Sequence, residues 1–285
     1  MEDCDLKSLF QEIYKVQLNI IKKYSEIDDI KVVFIRCTRI LLTNMDEAFI
    51  DVLPTVLEIL FKNPVPETIS GSLSIINQIL YKHKSEASVF LKDTIPVVLK
   101  SSYIYLENSK KTFFNDFDMM CQIKDTTKNY FITLNNIFNY NMGDLYVNDA
   151  ESLTTFCEMI SKLTLESNDT QVYKMSITLI KTISSIVYDQ DLTTIVVELS
   201  VDLSYKIMLT EILFNFDFPD DYIIFKDILG GTKFIYDKNP TLFLNILNSH
   251  HDYVYRLELA AHMKCSNQDA LKRTMTHLEI FSSLG

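Results

Sequence analysis

The chain has 285 residues, of which 47% are hydrophobic, and its formal net charge is −11. These values exclude an intrinsically disordered chain and any indiscriminate attraction to nucleic acid or anionic membranes. Five glycines and six prolines provide too little turn chemistry for a many-stranded sheet, so the composition predicts an all-α fold. Because no apolar run approaches about 18 residues and no secretory signal opens the sequence, we expect no membrane association.

Apolar residues recur at helical spacing along the whole chain, and short polar joints separate the apolar stretches. They predict consecutive helix pairs at 2–24 with 29–43, 46–62 with 67–84, 86–119 with 122–140, 150–166 with 169–187, 190–214 with 219–236, and 240–264 with 268–284. A break is expected near 108–110 in the long first member of the third pair. Pro66, Pro219 and Pro240 lie where helices should begin, since proline is tolerated in a first helical turn.

The second helices of the last four pairs are predicted to begin at regular intervals. Their starts near residues 122, 171, 219 and 268 are 48 or 49 residues apart. Two of them follow similar polar triplets, Ser167-Asn168-Asp169 and Ser266-Asn267-Gln268, whose side chains are suited to capping a helix. HEAT and armadillo repeats are about 40–47 residues long. The sequence therefore predicts a single domain over residues 1–285, a HEAT/armadillo-like right-handed α-solenoid of about six antiparallel helix pairs.

Motifs for catalysis, metal binding or phosphate binding are absent from the sequence. HExxH, paired CxxC, a phosphate loop and GxSxG do not occur. Gly230-Gly231 indicates a helix break or a close helix contact, and His250, His251, His262 and Cys265 are not spaced to converge on one metal ion. We therefore expect no enzyme activity, no metal and no cofactor. Five widely spaced cysteines, an odd number, indicate a reducing compartment.

The charges are distributed unevenly between the two helices of each predicted pair. Counted from Lys31 in the first pair and from Val172 in the fourth, the second helices hold thirteen Lys and Arg against seven Asp and Glu, although the whole chain is strongly acidic. In solenoids of this kind the second helices commonly line the concave side, so a basic lining is predicted there. The alternative is that acidic residues favour the first helices and the helix caps, and that the lysines occupy the remaining solvent-exposed faces without binding a partner. The candidate binding residues on this argument are Arg36, Arg39, Lys124, Lys128, Lys174, Lys181, Lys272 and Arg273.

Four segments resemble one known family. Ser74 to Glu107, SIINQILYKHKSEASVFLKDTIPVVLKSSYIYLE, has a helix followed by a second one with a Phe-Leu…Ile-Pro pattern. Asn129 to Val147, NYFITLNNIFNYNMGDLYV, is an aromatic-rich helix that runs into a loop and a small helix. Phe156 to Ile186 and the last helix, 268–284, follow in order. From about residue 46 to its end, the chain resembles the C-terminal part of the tRNA exportins (exportin-t) of the importin-β or karyopherin superfamily.

The resemblance implies a nuclear export receptor that binds tRNA together with the GTP-bound Ran GTPase and shuttles between nucleus and cytoplasm. The N-terminal repeats that bind Ran in that family have no counterpart here, so the chain is expected to be the C-terminal part of a longer carrier. A HEAT or armadillo scaffold that binds a protein partner, with no nucleic acid, is the alternative. In either case a monomer is expected.

Overall fold

The described part of the chain is helical, as the composition predicts. A computed structural model describes residues 3–44, 53–61, 65–113, 115–214, 221–250, 252–264 and 268–283, and no strand occurs among them. The chain divides into two compact units, residues 1–142 and 143–285, and each is described by itself. The prediction of one continuous domain over 1–285 stays a prediction.

The first unit consists of seven α-helices and one 3₁₀ turn in its described residues. The turn, Lys84–Ala87, connects the fourth and fifth helices. The helices are α1 Asp3–Lys23, α2 Asp28–Asn44, α3 Leu53–Leu60, α4 Pro66–His83, the short α5 Ser88–Leu91, α6 Thr94–Thr112 and α7 Phe117–Asn139.

The second unit begins with a single helical turn and continues with seven longer helices. They are α8 Asp144–Val147, α9 Ala150–Ser167, α10 Thr170–Ile186, α11 Gln190–Phe214, α12 Asp221–Lys238, α13 Pro240–Ser249, α14 Asp252–Lys264 and α15 Gln268–Ser283. The helices α7, α10, α12 and α15 correspond to the four regularly spaced second helices, but their starts lie at intervals that fall from 53 to 47 residues.

Three predicted helices have the wrong boundaries. The segment 86–119 is not broken near 108–110, because α6 runs through those residues and ends at Thr112, and the chain turns before it at 92–93. The Asp116 side chain accepts a hydrogen bond from the Met119 amide (3.0 Å) and so starts α7 earlier than predicted. The segment 240–264 is also two helices, since α13 ends at Ser249 and α14 begins at Asp252.

The predicted polar joint between α9 and α10 does form a cap. Asp169 accepts hydrogen bonds from the amides of Gln171 (2.9 Å) and Val172 (3.2 Å), which α10 itself leaves without partners. Asn168 ends α9 in the left-handed conformation, with φ of 45°. The similar triplet at 266–268 lies mostly outside the described residues. Pro66 and Pro240 occupy the first turns of α4 and α13, as predicted, whereas Pro219 lies outside the described residues.

Second helices pack beside second helices in both units. In the first unit α4 lies between α2 and α7, and in the second unit α12 lies between α10 and α15. In the second unit, helices outside this layer contact one another in the same way, α9 with α11 and α11 with α14. Fully buried residues such as Leu73, Tyr130 and Leu203 fill the space between neighbouring helices. This packing of each helix against its neighbours is consistent with an α-helical solenoid.

Hydrogen bonds fix the direction of α7 relative to α4. Asn129 Nδ2 donates to Ser70 Oγ (2.6 Å), and two turns further along both helices Asn136 Nδ2 donates to Asn77 Oδ1 (3.0 Å). Advancing by the same number of residues on both helices is possible only if they run parallel. Neighbouring second helices therefore point the same way, as successive repeats require.

The same two-turn register holds α10 against α12 through charged side chains. Lys174 pairs with Asp227 (3.0 Å), and seven residues further along both helices Lys181 Nζ lies 5.1 Å from the centre of the Phe234 ring. Lys238 of α12 also donates to the Ser184 carbonyl (2.8 Å). These contacts make α10 and α12 parallel and nearly in register.

One glycine in each unit allows the second helices to approach closely. A Cβ atom at Gly71 of α4 would lie 2.6 Å from Ile35 Cγ2 of α2, and one at Gly231 of α12 would overlap Ile177 Cγ2 of α10. A Cβ at the adjacent Gly230 would meet nothing within 4 Å. The predicted alternatives for the glycine pair were a helix break or a close contact, and Gly231 makes the close contact inside an unbroken helix.

The two adjacent glycines should therefore respond in opposite directions to the same substitution. Gly230→Ala should raise the free energy of unfolding by about 0.5–1 kcal/mol, because alanine has the higher helix propensity. Gly231→Ala should lower it by about 1–2 kcal/mol, because the methyl group overpacks against the branched Ile177 side chain. Chemical denaturation of both variants measures the difference. Equal stabilisation by both substitutions would contradict a close contact between α10 and α12.

Candidate functional site

An open groove of about 960 Å³ lies on the second-helix layer of the first unit. One side of the groove comes from Arg39 of α2 and the other from α7. The C-terminal half of α4 forms its centre, where the chain leaves the helix through Lys84. The position follows from the packing, because α4 is held between α2 and α7.

The charged residues of the groove are all basic. Arg39, Lys82 and Lys84 line it, and no Asp or Glu is among its described lining residues. Lys82 and His83 lie in the last turn of α4, where the helix dipole favours positive charge. The Lys82 ammonium also reaches the Leu42 carbonyl (3.4 Å) and so links α4 to the end of α2. The groove is a locally basic surface on an acidic chain.

Amide side chains add neutral hydrogen-bonding groups to the same surface. Asn77, Asn129 and Asn136 line the groove. The Asn136–Asn77 bond uses one donor of the first amide and one acceptor of the second, and Asn129 spends one donor on Ser70. Since each amide has two donors and two acceptor lone pairs, all three retain capacity for a ligand. They can bind phosphate oxygens or base edges without adding charge.

Two large apolar side chains in the groove are exposed to solvent. Tyr81 of α4 is 76% exposed, and Ile132 of α7 is 40% exposed. An exposed tyrosine ring beside lysines is suited to stacking on a planar ligand group such as a nucleobase. The groove therefore combines cations, amides and one accessible aromatic ring.

Lys84 adopts a backbone conformation that ordinarily requires glycine. Its φ is 50° and its ψ is −129°, at the position that follows the last residue of α4. A side chain at positive φ crowds the backbone, so helices usually end with glycine at such a position. The fold retains a strained lysine where it lines the groove, and strained residues of this kind are concentrated at functional sites.

The predicted binding residues of the first unit do not all lie in the groove. Arg39 lines it, and Arg36 lies exposed one turn earlier on α2. Lys128 lies one turn before Ile132 on α7, and its ammonium is 3.7 Å from Asp125. Lys124 is exposed at the N-terminal end of the same helix.

The predicted residues of the second unit have a different role in the structure. Lys174 and Lys181 are half-buried and make the contacts with Asp227 and Phe234 that hold α10 against α12. Lys272 is exposed on α15, and the side chain of Arg273 lies outside the described residues. That the eight predicted residues share one surface stays a prediction.

The groove also contains residues that the sequence did not single out. Lys82 and Lys84 were part of the basic excess counted on the second helices, but they were not among the eight residues predicted to bind a partner. Asn129 and Asn136 form hydrogen bonds with residues 59 positions earlier in the chain. No local sequence pattern predicts hydrogen bonds over such a separation.

Metal-binding groups give no second site among the described residues. No group of three or more His, Cys, Asp and Glu side chains in them is arranged to hold a metal ion. Of His250, His251, His262 and Cys265, the second and the last lie outside the described residues. Burial raises the pKa of the Cys157 thiol to about 12, so this side chain is not a thiolate at neutral pH. No helix in the described ranges is long and apolar enough to span a membrane.

Comparison with known proteins finds no protein-family model, no curated protein and no solved structure that matches this chain. The resemblance to tRNA exportins stays a prediction.

The strain at Lys84 can be measured directly. Lys84→Gly should raise the free energy of unfolding by about 1 kcal/mol, because glycine adopts positive φ without steric crowding. Lys84→Ala is the matched control, since it removes the same side chain but keeps a Cβ atom, and it should change stability by less than about 0.5 kcal/mol. Equal effects of the two substitutions in chemical denaturation would show that no strain is relieved.

Proposed function

We propose that this chain is a non-enzymatic binding module whose groove between α2 and α7 holds the sugar-phosphate backbone of a folded RNA, with tRNA as the cargo. The observation that carries the proposal is the groove itself, where three cations meet without an acidic residue among the described lining residues.

The physical case rests on where an RNA can approach an acidic protein. With a net charge of −11, most of the surface repels a polyanion, so RNA is confined to local positive regions. Lys and Arg neutralise phosphates there and release counterions, which provides most of the affinity. Asn side chains commonly contact phosphate and sugar, and an exposed Tyr can stack on an unpaired base. The groove offers all three kinds of contact.

The export part of the proposal rests on the resemblance of residues 46–285 to the C-terminal part of tRNA exportins. On that basis, tRNA binds together with Ran-GTP, and the chain belongs to a longer carrier that shuttles between nucleus and cytoplasm. The corresponding architecture is a right-handed HEAT-like solenoid of about six antiparallel helix pairs. The parallel second helices of each unit support this architecture.

The second candidate is a scaffold that binds a protein partner and no nucleic acid. Two observations favour it. Lys174 and Lys181 are used in contacts between helices, which reduces the charge available to RNA in the second unit. Tyr81 and Ile132 also give the groove an apolar component that would suit a peptide.

Neutralising the groove should weaken tRNA binding and its dependence on salt. The triple variant Arg39→Gln, Lys82→Gln, Lys84→Gln should lower tRNA affinity at least about tenfold in fluorescence anisotropy. The slope of log K against log salt should become shallower by about 2–3, because roughly one counterion is released per phosphate contact.

The matched control removes three lysines from the same unit outside the groove. Lys92, Lys100 and Lys111 are exposed on or beside α6, and their replacement by Gln changes the net charge equally. This variant should bind tRNA within about twofold of the unchanged chain, since only distant screened charges are lost. Equal losses of tRNA affinity in both variants would show that tRNA responds to the net charge of the chain and not to the groove. No tRNA binding at low salt, with or without Ran-GTP, would favour the protein scaffold.

A further inference from the structure

The first helix carries an apolar stripe that faces solvent. Leu9, Ile13, Val16 and Ile20 of α1 are between 41 and 59% exposed, and their spacing of four, three and four residues aligns them along one side of the helix. Tyr24 and Ile27, just beyond the helix, are exposed to a similar extent. We call these six residues the α1 stripe.

The α1 stripe is separate from the side of α1 that packs into the unit. Among the side chains of α1 that the structure describes, the large apolar ones that are buried are Tyr14 and Ile21, and α1 contacts α2 and α3. On a helical projection Leu9, Val16 and Ile20 lie more than 90° from this pair. The helix therefore has a second apolar face in addition to the one that forms the core. Contiguous exposed apolar surface of this extent usually marks an interface.

We propose that the α1 stripe is the interface between two copies of this chain, in which the two α1 helices pack antiparallel about a twofold axis. The stripe is self-complementary in this arrangement. With the axis passing between Val16 and Ile20, each Val16 lies opposite the Ile20 of the other copy and each Ile13 opposite its Tyr24, while each Leu9 faces the turn that carries the other copy's Ile27. All six residues are then covered in both copies.

The charges beside the stripe distinguish the antiparallel arrangement from the parallel one. Glu12 and Lys23 are exposed and eleven residues apart, about three turns, so they border the same edge of the stripe. Antiparallel packing places each Glu12 opposite the Lys23 of the other copy, which forms two opposite-charge pairs. In a parallel twofold pair this edge would face the opposite edge of the other copy, so Glu12 and Lys23 would lie on different sides of the interface and form no such pairs.

The size of the stripe is sufficient for a weak dimer. Covering the exposed parts of six residues in each copy removes on the order of 1,000 Å² from water, near the lower limit for a specific interface. The expected dimer accordingly dissociates at concentrations on the order of micromolar. It replaces the expectation of a monomer, and it does not depend on RNA binding, because none of the groove-lining residues belongs to α1.

Sedimentation of the full chain over a range of concentrations tests the dimer. The unchanged chain should show a concentration-dependent monomer–dimer equilibrium. Val16→Glu should raise its dissociation constant at least about tenfold, because a carboxylate would be buried opposite Ile20. Val97→Glu is the matched control, since Val97 of α6 is 64% exposed against 59% for Val16, and it should leave the equilibrium unchanged. Circular dichroism checks that both variants remain folded.

A charge exchange tests the antiparallel geometry. Glu12→Lys and Lys23→Glu should each weaken the dimer, and the double variant Glu12→Lys, Lys23→Glu should restore it, since the opposite-charge pairs form again with their signs reversed. A chain that stays monomeric up to about 100 µM, or a dimer insensitive to Val16→Glu, overturns the proposal and leaves the stripe to a different partner. A dimer that the double variant does not restore overturns the antiparallel arrangement.

Discussion

The close parallel packing of neighbouring second helices is the constraint on which both units depend. Gly71 lets α4 approach Ile35 of α2, and Gly231 lets α12 approach Ile177 of α10. Between α4 and α7, and between α10 and α12, contacts repeated seven residues apart on both helices keep the register. A shift by one residue would rotate the contacting faces by about 100° and separate every pair at once. The surfaces above the second helices are therefore defined by the same contacts that hold the helices together.

The order of the helices could be predicted from the sequence, whereas the contacts between them could not. The helical spacing of apolar residues is a local signal that predicts helices. Local signals also mark helix starts: Pro66, Pro240 and the Asp169 cap each lie where the structure begins a helix. The start of α7 was missed because Asp116 caps it from within a segment that reads as continuous helix. Arg39 and Lys84 meet in the groove only because α2 packs beside α4, which no spacing along the chain reveals.

Positive charge has two different roles in the second-helix layers. In the second unit, Lys174 and Lys181 contact Asp227 and the Phe234 ring, so their charge contributes to helix packing. In the first unit, uncharged amides make the equivalent contacts between α4 and α7. Asn and Ser thus make the contacts between α4 and α7 that charged residues make between α10 and α12, and the basic residues Arg39, Lys82 and Lys84 line the groove beside them.

The helix α2 separates the two surfaces of the first unit. It contacts α1, which carries the apolar stripe, and α4, which forms the centre of the groove. Solvent-exposed Leu9 and Val16 favour association through area removed from water, which depends little on salt. Lys82 and Lys84 favour a polyanion through counterion release, which weakens steeply as salt rises. Since the two driving forces respond differently to ionic strength, the proposed self-association and the proposed RNA binding can be distinguished by their dependence on salt.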